Sequence, residues 1–339
     1  MQNLKVYSST QLNSVLKTRT GETKFGEDVK LLTDYTNIYE DIKDLDVEYV
    51  IFGICEDIGV IANFGIPGTY KAWNAAIKVL LNTQSNAFID AKRVLILGHL
   101  DYSQMIHEVK NDNLTRETQI ELARKYTETI DTNVTDLVSQ IVKAGKIPIV
   151  IGGGHNNAYG NIKGTSQALG TSISAINFDA HHDFRALEGR HSGNGFSYAQ
   201  KEGYLKNYYI FGLHENYCSQ NSLDTLNTNK NVQYTTFESM EIRHEIDFFQ
   251  AIDDGLGHVV HDAFGVEIDC DAIENVPSSA KTPSGFTASQ ARQFINRIGE
   301  SNNVKYLHIC EAAPTNETET QVGKLISYLI TDFIKANGR

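Results

Sequence analysis

The chain alternates short apolar segments with longer segments of helical periodicity, and this alternation restricts its fold more than any other feature. Eight segments have the apolar and β-branched composition of buried strands: 47–54, 93–98, 146–151, 171–178, 207–212, 232–236, 263–269 and 304–310. Helices are predicted between them over 69–82, 117–144, 157–169, 241–254, 287–299 and 318–335. Such a pattern is typical of a mainly parallel sheet covered by helices on both faces. Periodicity alone does not distinguish an open sheet from a closed barrel of eight strands.

The sequence shows no break that would divide these elements between domains. No linker-like stretch, internal repeat or low-complexity run interrupts the 339 residues. The first 46 residues are polar and weakly periodic. We therefore predict an N-terminal surface extension over 1–46, with at most one helix, followed by a single α/β domain over 47–339.

The charge of the chain restricts the partners that it can bind. The formal net charge is −12, which opposes binding to nucleic acid or to an anionic membrane, and the sequence has no basic patch that would offset it. No segment reaches the roughly 18 to 20 apolar residues of a membrane span, and the N-terminus lacks the apolar core of a signal peptide. We expect a cytoplasmic protein that forms a homo-oligomer and acts on a small-molecule substrate.

The densest group of polar residues follows the segment 171–178. Asp179, His181 and Asp183 are spaced two apart, so in an extended chain their side chains point to the same side. Two carboxylates and an imidazole suit Mn²⁺, Zn²⁺ or Fe²⁺ better than a thiophilic metal, and sites in open α/β sheets form at the carboxyl ends of strands. The alternative is a solvated acidic loop with a stray pair of histidines.

Three more polar groups fall at the ends of predicted strands. His155 follows 146–151, Asp269 ends 263–269 and Asp271 lies two residues beyond it, and Glu311 follows 304–310. Each alone has an ordinary explanation as a helix-start, turn or surface residue. Together with the first group and without Glu311, they supply four carboxylates and two imidazoles as candidate ligands, and clustered carboxylates repel one another unless cations neutralise them. Two divalent ions would balance the four negative charges and would activate water for hydrolysis of a C–N bond.

Four motifs carry a resemblance to a known family. GGGH at 152–155, NFDAHHD at 177–183, EIDCD at 267–271 and EAAP at 311–314 resemble the ureohydrolase family of arginase, agmatinase and formimidoylglutamase. The resemblance implies an arginase-like catalytic domain over 47–339, with a single-domain three-layer fold and a mostly parallel eight-stranded sheet.

The resemblance also implies a centre of two Mn²⁺ ions per chain. The ligands of one ion would be His155, Asp179, Asp183 and Asp269. The ligands of the other would be Asp179, His181, Asp269 and Asp271, so that Asp179 and Asp269 bridge the two ions.

Departures from the family pattern bear on the substrate. Arginases and agmatinases have an aspartate where this chain has Gly154, and a proton-shuttling histidine where it has Phe196. Formimidoylglutamases are similar to this chain in having an apolar residue at the latter position and an arginine, here Arg185, after the DAHxD motif. The resemblance therefore implies hydrolysis of N-formimino-L-glutamate to glutamate and formamide, in histidine breakdown.

Roles for further residues follow from this reading. Glu311 would pair with the cationic nitrogen of the substrate, and His191 or His182 would deliver a proton to the leaving nitrogen. Substrate-binding residues would be Arg185, Arg190 and Asn194, with both arginines at the entrance. A structural ion pair between Arg185 and Glu188 is the alternative for that arginine.

Three other functions stay open at this point. One is another amidinohydrolase, acting on agmatine or a guanidino acid. A second is a non-catalytic ligand-binding member of the fold, although the complete ligand set argues against it. The third is a histone-deacetylase-like enzyme with a single zinc, which would not need Asp271 or His155 as ligands.

Overall fold

A single sheet forms the centre of the protein in this computed structural model, which describes residues 3–33, 35 and 37–337. Within these residues the strands are β1 (Leu4–Val6), β2 (Tyr49–Cys55), β3 (Val94–Asp101), β4 (Ile147–Ile151), β5 (Ile173–Phe178), β6 (Leu205–Leu213), β7 (Val232–Thr236), β8 (Phe264–Asp269) and β9 (Val304–Cys310). Their order in the sheet is β1-β3-β2-β4-β9-β8-β5-β6-β7. All neighbours are parallel except β1, which runs antiparallel to β3.

Helices cover both faces of the sheet. They are α1 (Ser9–Val15), α2 (Phe25–Asp28), α3 (Ile38–Asp44), α4 (Ile58–Ala62), α5 (Ala72–Leu80), α6 (Ser103–Val109), α7 (Arg116–Lys143), α8 (Asn157–Leu169), α9 (Gly195–Lys201), α10 (Gln220–Thr228), α11 (Phe248–Val259), α12 (Ala288–Gly299) and α13 (Glu319–Asn337). Successive strand residues point to opposite faces. On β2, Ile51 packs in the core beneath α5 and α13, whereas Phe52 packs in the core beneath α7.

The predicted three-layer α/β fold is confirmed, and the sheet is open. All eight predicted strands are present, but the expected number is one too low, because β1 lies in the segment predicted to be a surface extension. Leu4–Val6 pairs with β3, and Phe25 of α2 is fully buried in the core. Residues 3–33, 35 and 37–46 thus include part of the sheet and three helices, which corrects the expectation of a surface extension with at most one helix. The domain boundary at residues 46 and 47 stays a prediction.

One predicted helix is displaced. The helix expected over 241–254 begins only at Phe248, because the Asp247 side chain accepts hydrogen bonds from the backbone N–H groups of Phe249 and Gln250 and caps the helix there. The preceding residues Glu238–Ile242 form a π-helical turn instead. By contrast, the helix predicted over 287–299 begins where expected, because the Thr287 side chain accepts a hydrogen bond from Gln290 N and caps it.

Strand order brings the four predicted polar groups together. Strands β4, β9, β8 and β5 are consecutive in the sheet, and they run parallel. Their carboxyl ends therefore meet along one edge, although the residues that follow them are spread over more than 150 positions of the chain, from His155 to Glu311. Among the helices of the described chain, none combines the length and the apolar character that a membrane crossing needs.

Candidate metal centre

His155 and three aspartates converge on one point at this edge of the sheet. The Nδ1 atom of His155 lies 2.8 Å from Asp183 Oδ2, 3.1 Å from Asp269 Oδ2 and 3.2 Å from Asp179 Oδ2. These four residues are the set that the resemblance implied for the first ion, and their ligand atoms are close enough together to bind one cation.

A second set of ligands adjoins the first. His181 Nδ1 lies 3.2 Å from Asp271 Oδ2 and 3.6 Å from Asp179 Oδ1. Asp179 thus presents one carboxylate oxygen to His155 and the other to His181, which is the arrangement of a bridging ligand. The Oδ1 atoms of Asp179 and Asp269 accept similar backbone hydrogen bonds, from His181 N at 2.7 Å and from Asp271 N at 2.8 Å. Asp269 differs in that it belongs only to the first ligand set, whereas Asp179 belongs to both.

The electrostatics of these residues fit cations. Burial together with the charges of Asp271 and Asp179 raises the pKa of Asp269 well above its usual value. Burial and the charge of Asp179 likewise raise the pKa of Asp183. Burial also acts to raise the pKa of Asp179, but the two imidazoles hold it below its ordinary value. Ionised carboxylates at such short range are unfavourable without positive charge between them.

Unpaired polar atoms give independent support for bound cations. His155 is buried, and neither of its ring nitrogens makes a hydrogen bond of acceptable geometry to the described residues, even though Asp183 Oδ2 lies only 2.8 Å from Nδ1. The Oδ1 atom of Asp271 is also buried and has no hydrogen-bond partner among the described residues. Because buried polar atoms are rarely left without partners, these atoms fit the role of metal ligands, and oxygen and imidazole ligands suit Mn²⁺.

Two residues of the site have backbone conformations that L-amino acids rarely adopt. Asp183 has φ = 42° and Glu311 has φ = 58°. Such strain persists where the surrounding structure enforces it, and it is common at functional sites. The Glu311 carboxylate is buried and accepts a hydrogen bond from the backbone N–H of His155 at 2.8 Å, and burial with the charges of Asp271 and Asp183 raises its pKa to about 8.

Phe196 packs against the first ligand. Its ring meets the His155 ring edge to face, with centroids 5.2 Å apart, and stacks on Tyr208 at 4.2 Å. The residue that replaces the family's proton-shuttling histidine is therefore fully buried and acts as a wall of the His155 pocket.

The two histidines predicted as proton donors are structural in this geometry. His191 is buried; its Nδ1 accepts from Gly193 N at 3.1 Å, and its Nε2 lies 3.1 Å from Glu188 Oε1. His182 Nδ1 accepts from Phe184 N at 2.9 Å. Burial, aided by the charge of Arg185 for His191, lowers the pKa of each imidazole to about 4, so both are neutral at pH 7. This geometry does not support proton donation by His191.

Arg190 does not lie at the entrance, and the expectation that it does is wrong. Its side chain is 3% exposed, and its guanidinium forms a buried ion pair with Asp131, with Nε 2.8 Å from Oδ2. Its Nη2 donates to the Asn156 carbonyl at 2.9 Å, and its Nη1 donates to the Asn194 side chain. Asn194 in turn donates to the Gly189 carbonyl at 2.8 Å. Arg190 and Asn194 were predicted to bind substrate because they lie near the DAHxD motif in sequence. The sequence does not show that their side chains are buried.

Arg185 is the arginine that remains accessible. Half of its side chain is exposed, Nη1 donates to Asn63 Oδ1 at 2.7 Å, and Nη2 donates to Glu188 Oε1 at 2.7 Å. The ion pair with Glu188 considered as an alternative is thus present. Because exposed pairs of this kind are weak, the guanidinium can exchange partners at little cost.

A stack of aromatic rings next to the second ligand set was not foreseen from the sequence. The Tyr217 ring is parallel to His181 at 4.9 Å and to His214 at 5.1 Å, and His214 stacks on Phe237 at 4.6 Å. His181 is the more exposed of the two candidate imidazole ligands, and this stack restrains its ring. No motif marks these residues, since Tyr217 and Phe237 lie in different helical turns, one after β6 and one after β7.

Comparison with known proteins gives a consistent family assignment. A profile described as the Arginase family matches residues 74–335. The chain is 24% identical over 291 residues to formimidoylglutamase from Streptococcus pyogenes, an alignment that covers 83% of this chain and 82% of that protein.

Solved structures share the fold at low sequence identity. Trypanosoma cruzi formiminoglutamase with Mn²⁺ superposes with a TM-score of 0.71 at 20% identity, over 93% of this chain and 98% of that one. Formimidoylglutamase from Bacillus subtilis superposes with a TM-score of 0.72 at 16% identity, over 94% and 93% of the two chains.

Proposed function

Since the chain belongs to the arginase family, we propose that it is a binuclear manganese hydrolase that cleaves N-formimino-L-glutamate to glutamate and formamide. The observation that carries this proposal is the pair of adjoining ligand sets, in which Asp179 directs one oxygen to His155 and the other to His181. Two divalent ions held there would supply activated water as the nucleophile at neutral pH.

The choice of a formimino substrate rests on two further observations. The position of the shuttle histidine is filled by buried Phe196, which packs on His155 and leaves no imidazole there. The curated relative and both structural neighbours described above are named formimidoylglutamase or formiminoglutamase. These observations favour this substrate over agmatine or a guanidino acid.

The residues of the chain would bind the substrate by its charges. Glu311 lies at the carboxyl end of β9 beside the first ligand set. The bound cations and the cationic formimino nitrogen would lower its raised pKa, so that the ionised carboxylate would pair with that nitrogen. Arg185 would bind a substrate carboxylate by giving up its exposed contact with Glu188. His182 and His191 are neutral and occupied by backbone N–H groups, so the proton for the leaving nitrogen would come from another group.

A product assay tests the substrate. The Mn²⁺-loaded protein is incubated with N-formimino-L-glutamate, agmatine, arginine or guanidinobutyrate, and release of glutamate or of the corresponding product is followed. We expect kcat/KM to be highest for N-formimino-L-glutamate and to be abolished in Asp179→Asn. A preference for agmatine, which has no carboxylate, would replace the proposal with a broader amidinohydrolase function.

A further inference from the structure

A fully buried polar cluster lies directly beneath the ring of His155. Glu267 on β8 and His308 on β9 are both inaccessible to solvent, as is Tyr306. The Tyr306 hydroxyl donates to Glu267 Oε1 at 2.7 Å, and His308 Nδ1 lies 2.5 Å from Glu267 Oε2. The Glu267 carboxylate is therefore fixed from both sides.

The two nitrogens of His155 face different groups. Nδ1 is directed at the aspartates of the first ligand set, whereas Nε2 lies 3.6 Å from Glu267 Oε2. This separation is slightly longer than a hydrogen bond. An imidazole that offers the Nδ1 lone pair to a cation must carry its proton on Nε2, and this proton requires an acceptor.

We propose that Glu267 is the positioning residue of His155: its carboxylate, fixed by Tyr306 and His308, accepts the Nε2 proton and keeps the ring in the tautomer that offers Nδ1 to the first ion. The inference rests on the proposed metal-binding function but not on the identity of the substrate. Carboxylates that orient a ligating histidine in this way typically change metal affinity by about 10- to 100-fold.

The same residues could instead hold a cation of their own, since ligand atoms of His155, Glu267, His308 and Cys310 lie close together. Their existing contacts argue against this alternative. Both Glu267 oxygens are engaged by Tyr306 and His308, and the Cys310 thiol contacts the Ile268 carbonyl at 3.5 Å. A cation would have to break these buried bonds, whereas the positioning role uses them as they stand.

The test is a titration of metal-free protein with Mn²⁺ in the absence of substrate, with binding followed by calorimetry. In Glu267→Gln we expect one of the two ions to bind about 10- to 100-fold more weakly and the other to stay within a few-fold of wild type. Tyr209→Phe is the control, because it removes a buried hydroxyl that contacts Thr235 and not Glu267, and it should leave both affinities within a few-fold.

Three results would overturn the proposal. They are wild-type affinity for both ions in Glu267→Gln, equal weakening of both ions, and a third tightly bound ion that this variant loses. If Glu267→Gln does not fold, ¹⁵N NMR of the wild-type protein shows which ring nitrogen of His155 carries the proton. The His155 signals are assigned by their absence in His155→Asn. A proton on Nε2 is expected, and a proton on Nδ1 would overturn the proposal. Because neither measurement uses substrate, a wrong substrate assignment would not affect the outcome.

Discussion

Replacing Arg190 with methionine separates a structural role from a substrate-binding role. In the native protein Arg190 Nε lies 2.8 Å from Asp131 Oδ2. The variant removes this guanidinium and leaves the Asp131 carboxylate buried without its partner. Breaking a buried ion pair by removing one partner costs about 3–5 kcal/mol. For a chain of 339 residues this lowers the unfolding temperature by roughly 4–7 °C.

The stability lost in Arg190→Met should depend on pH, because Asp131 titrates. Burial raises the pKa of this carboxyl to about 6, even though Arg190 acts to lower it. The folded value lies above that of an unfolded aspartate, about 3.9, so ionisation of Asp131 costs stability as the pH rises from 4 to 6. Without Arg190 this cost continues to grow at higher pH. The difference between wild type and variant should therefore be largest near pH 8 and shrink as the pH falls through 6.

Thermal unfolding at pH 5 and pH 8 measures this difference, and Arg292→Met is the matched control. Arg292 forms a similar pair with Asp332, with Nε 2.6 Å from Oδ2, but its side chain is 42% exposed, so its loss should cost at most about 1 kcal/mol. The reasoning would be refuted if Arg190→Met unfolded like wild type at pH 8 while its KM for N-formimino-L-glutamate rose more than ten-fold. Arg190 would then contact the substrate.

Three other predictions concern the rim of the site. Arg185→Met should lower kcat/KM for N-formimino-L-glutamate by roughly ten- to a hundred-fold, with bound manganese unchanged in elemental analysis; an unchanged kcat/KM would remove this arginine from substrate binding. His191→Gln should keep kcat within a few-fold at pH 7, because the native imidazole is already neutral there, and a loss of more than a hundred-fold with manganese retained would restore His191 as the proton donor. Tyr217→Leu should weaken the ion nearest His181 by about two- to ten-fold in a Mn²⁺ titration, whereas Tyr217→Phe keeps the stacked ring and should not; equal behaviour of the two variants would argue against the stack.

The sequence predicted the strands well because buried parallel strands are continuous apolar runs. It could not give their order, and β4, β9, β8 and β5 are neighbours only in the folded sheet. The candidate ligands could nevertheless be identified from the sequence, because each polar group follows its own strand, and the structure brings these residues together. β1 was missed because a segment of three residues is too short to show a periodicity. Its partner strand β3 also lies far away in the sequence, since Leu4 pairs with Leu100.

Residues in loops were predicted less well, for a physical reason. Arg190, His191 and Asn194 lie close to the motif in sequence, but the orientation of Arg190 depends on Asp131, 59 residues away on α7, and Asn194 accepts a hydrogen bond from Arg190. Glu267 and His308 carry polar side chains in runs predicted as buried strands, which is the signal that could have identified them. A buried acid within an apolar strand needs partners, and only the pairing of β8 with β9 supplies them.

The number of manganese ions in the active enzyme tests the two-metal centre most directly. Metal-free protein is titrated with Mn²⁺, and bound ions and turnover of N-formimino-L-glutamate are measured in the same samples. The two adjoining ligand sets predict that turnover rises until two ions are bound per chain and then stays constant. Full turnover with a single bound ion per chain would contradict this account.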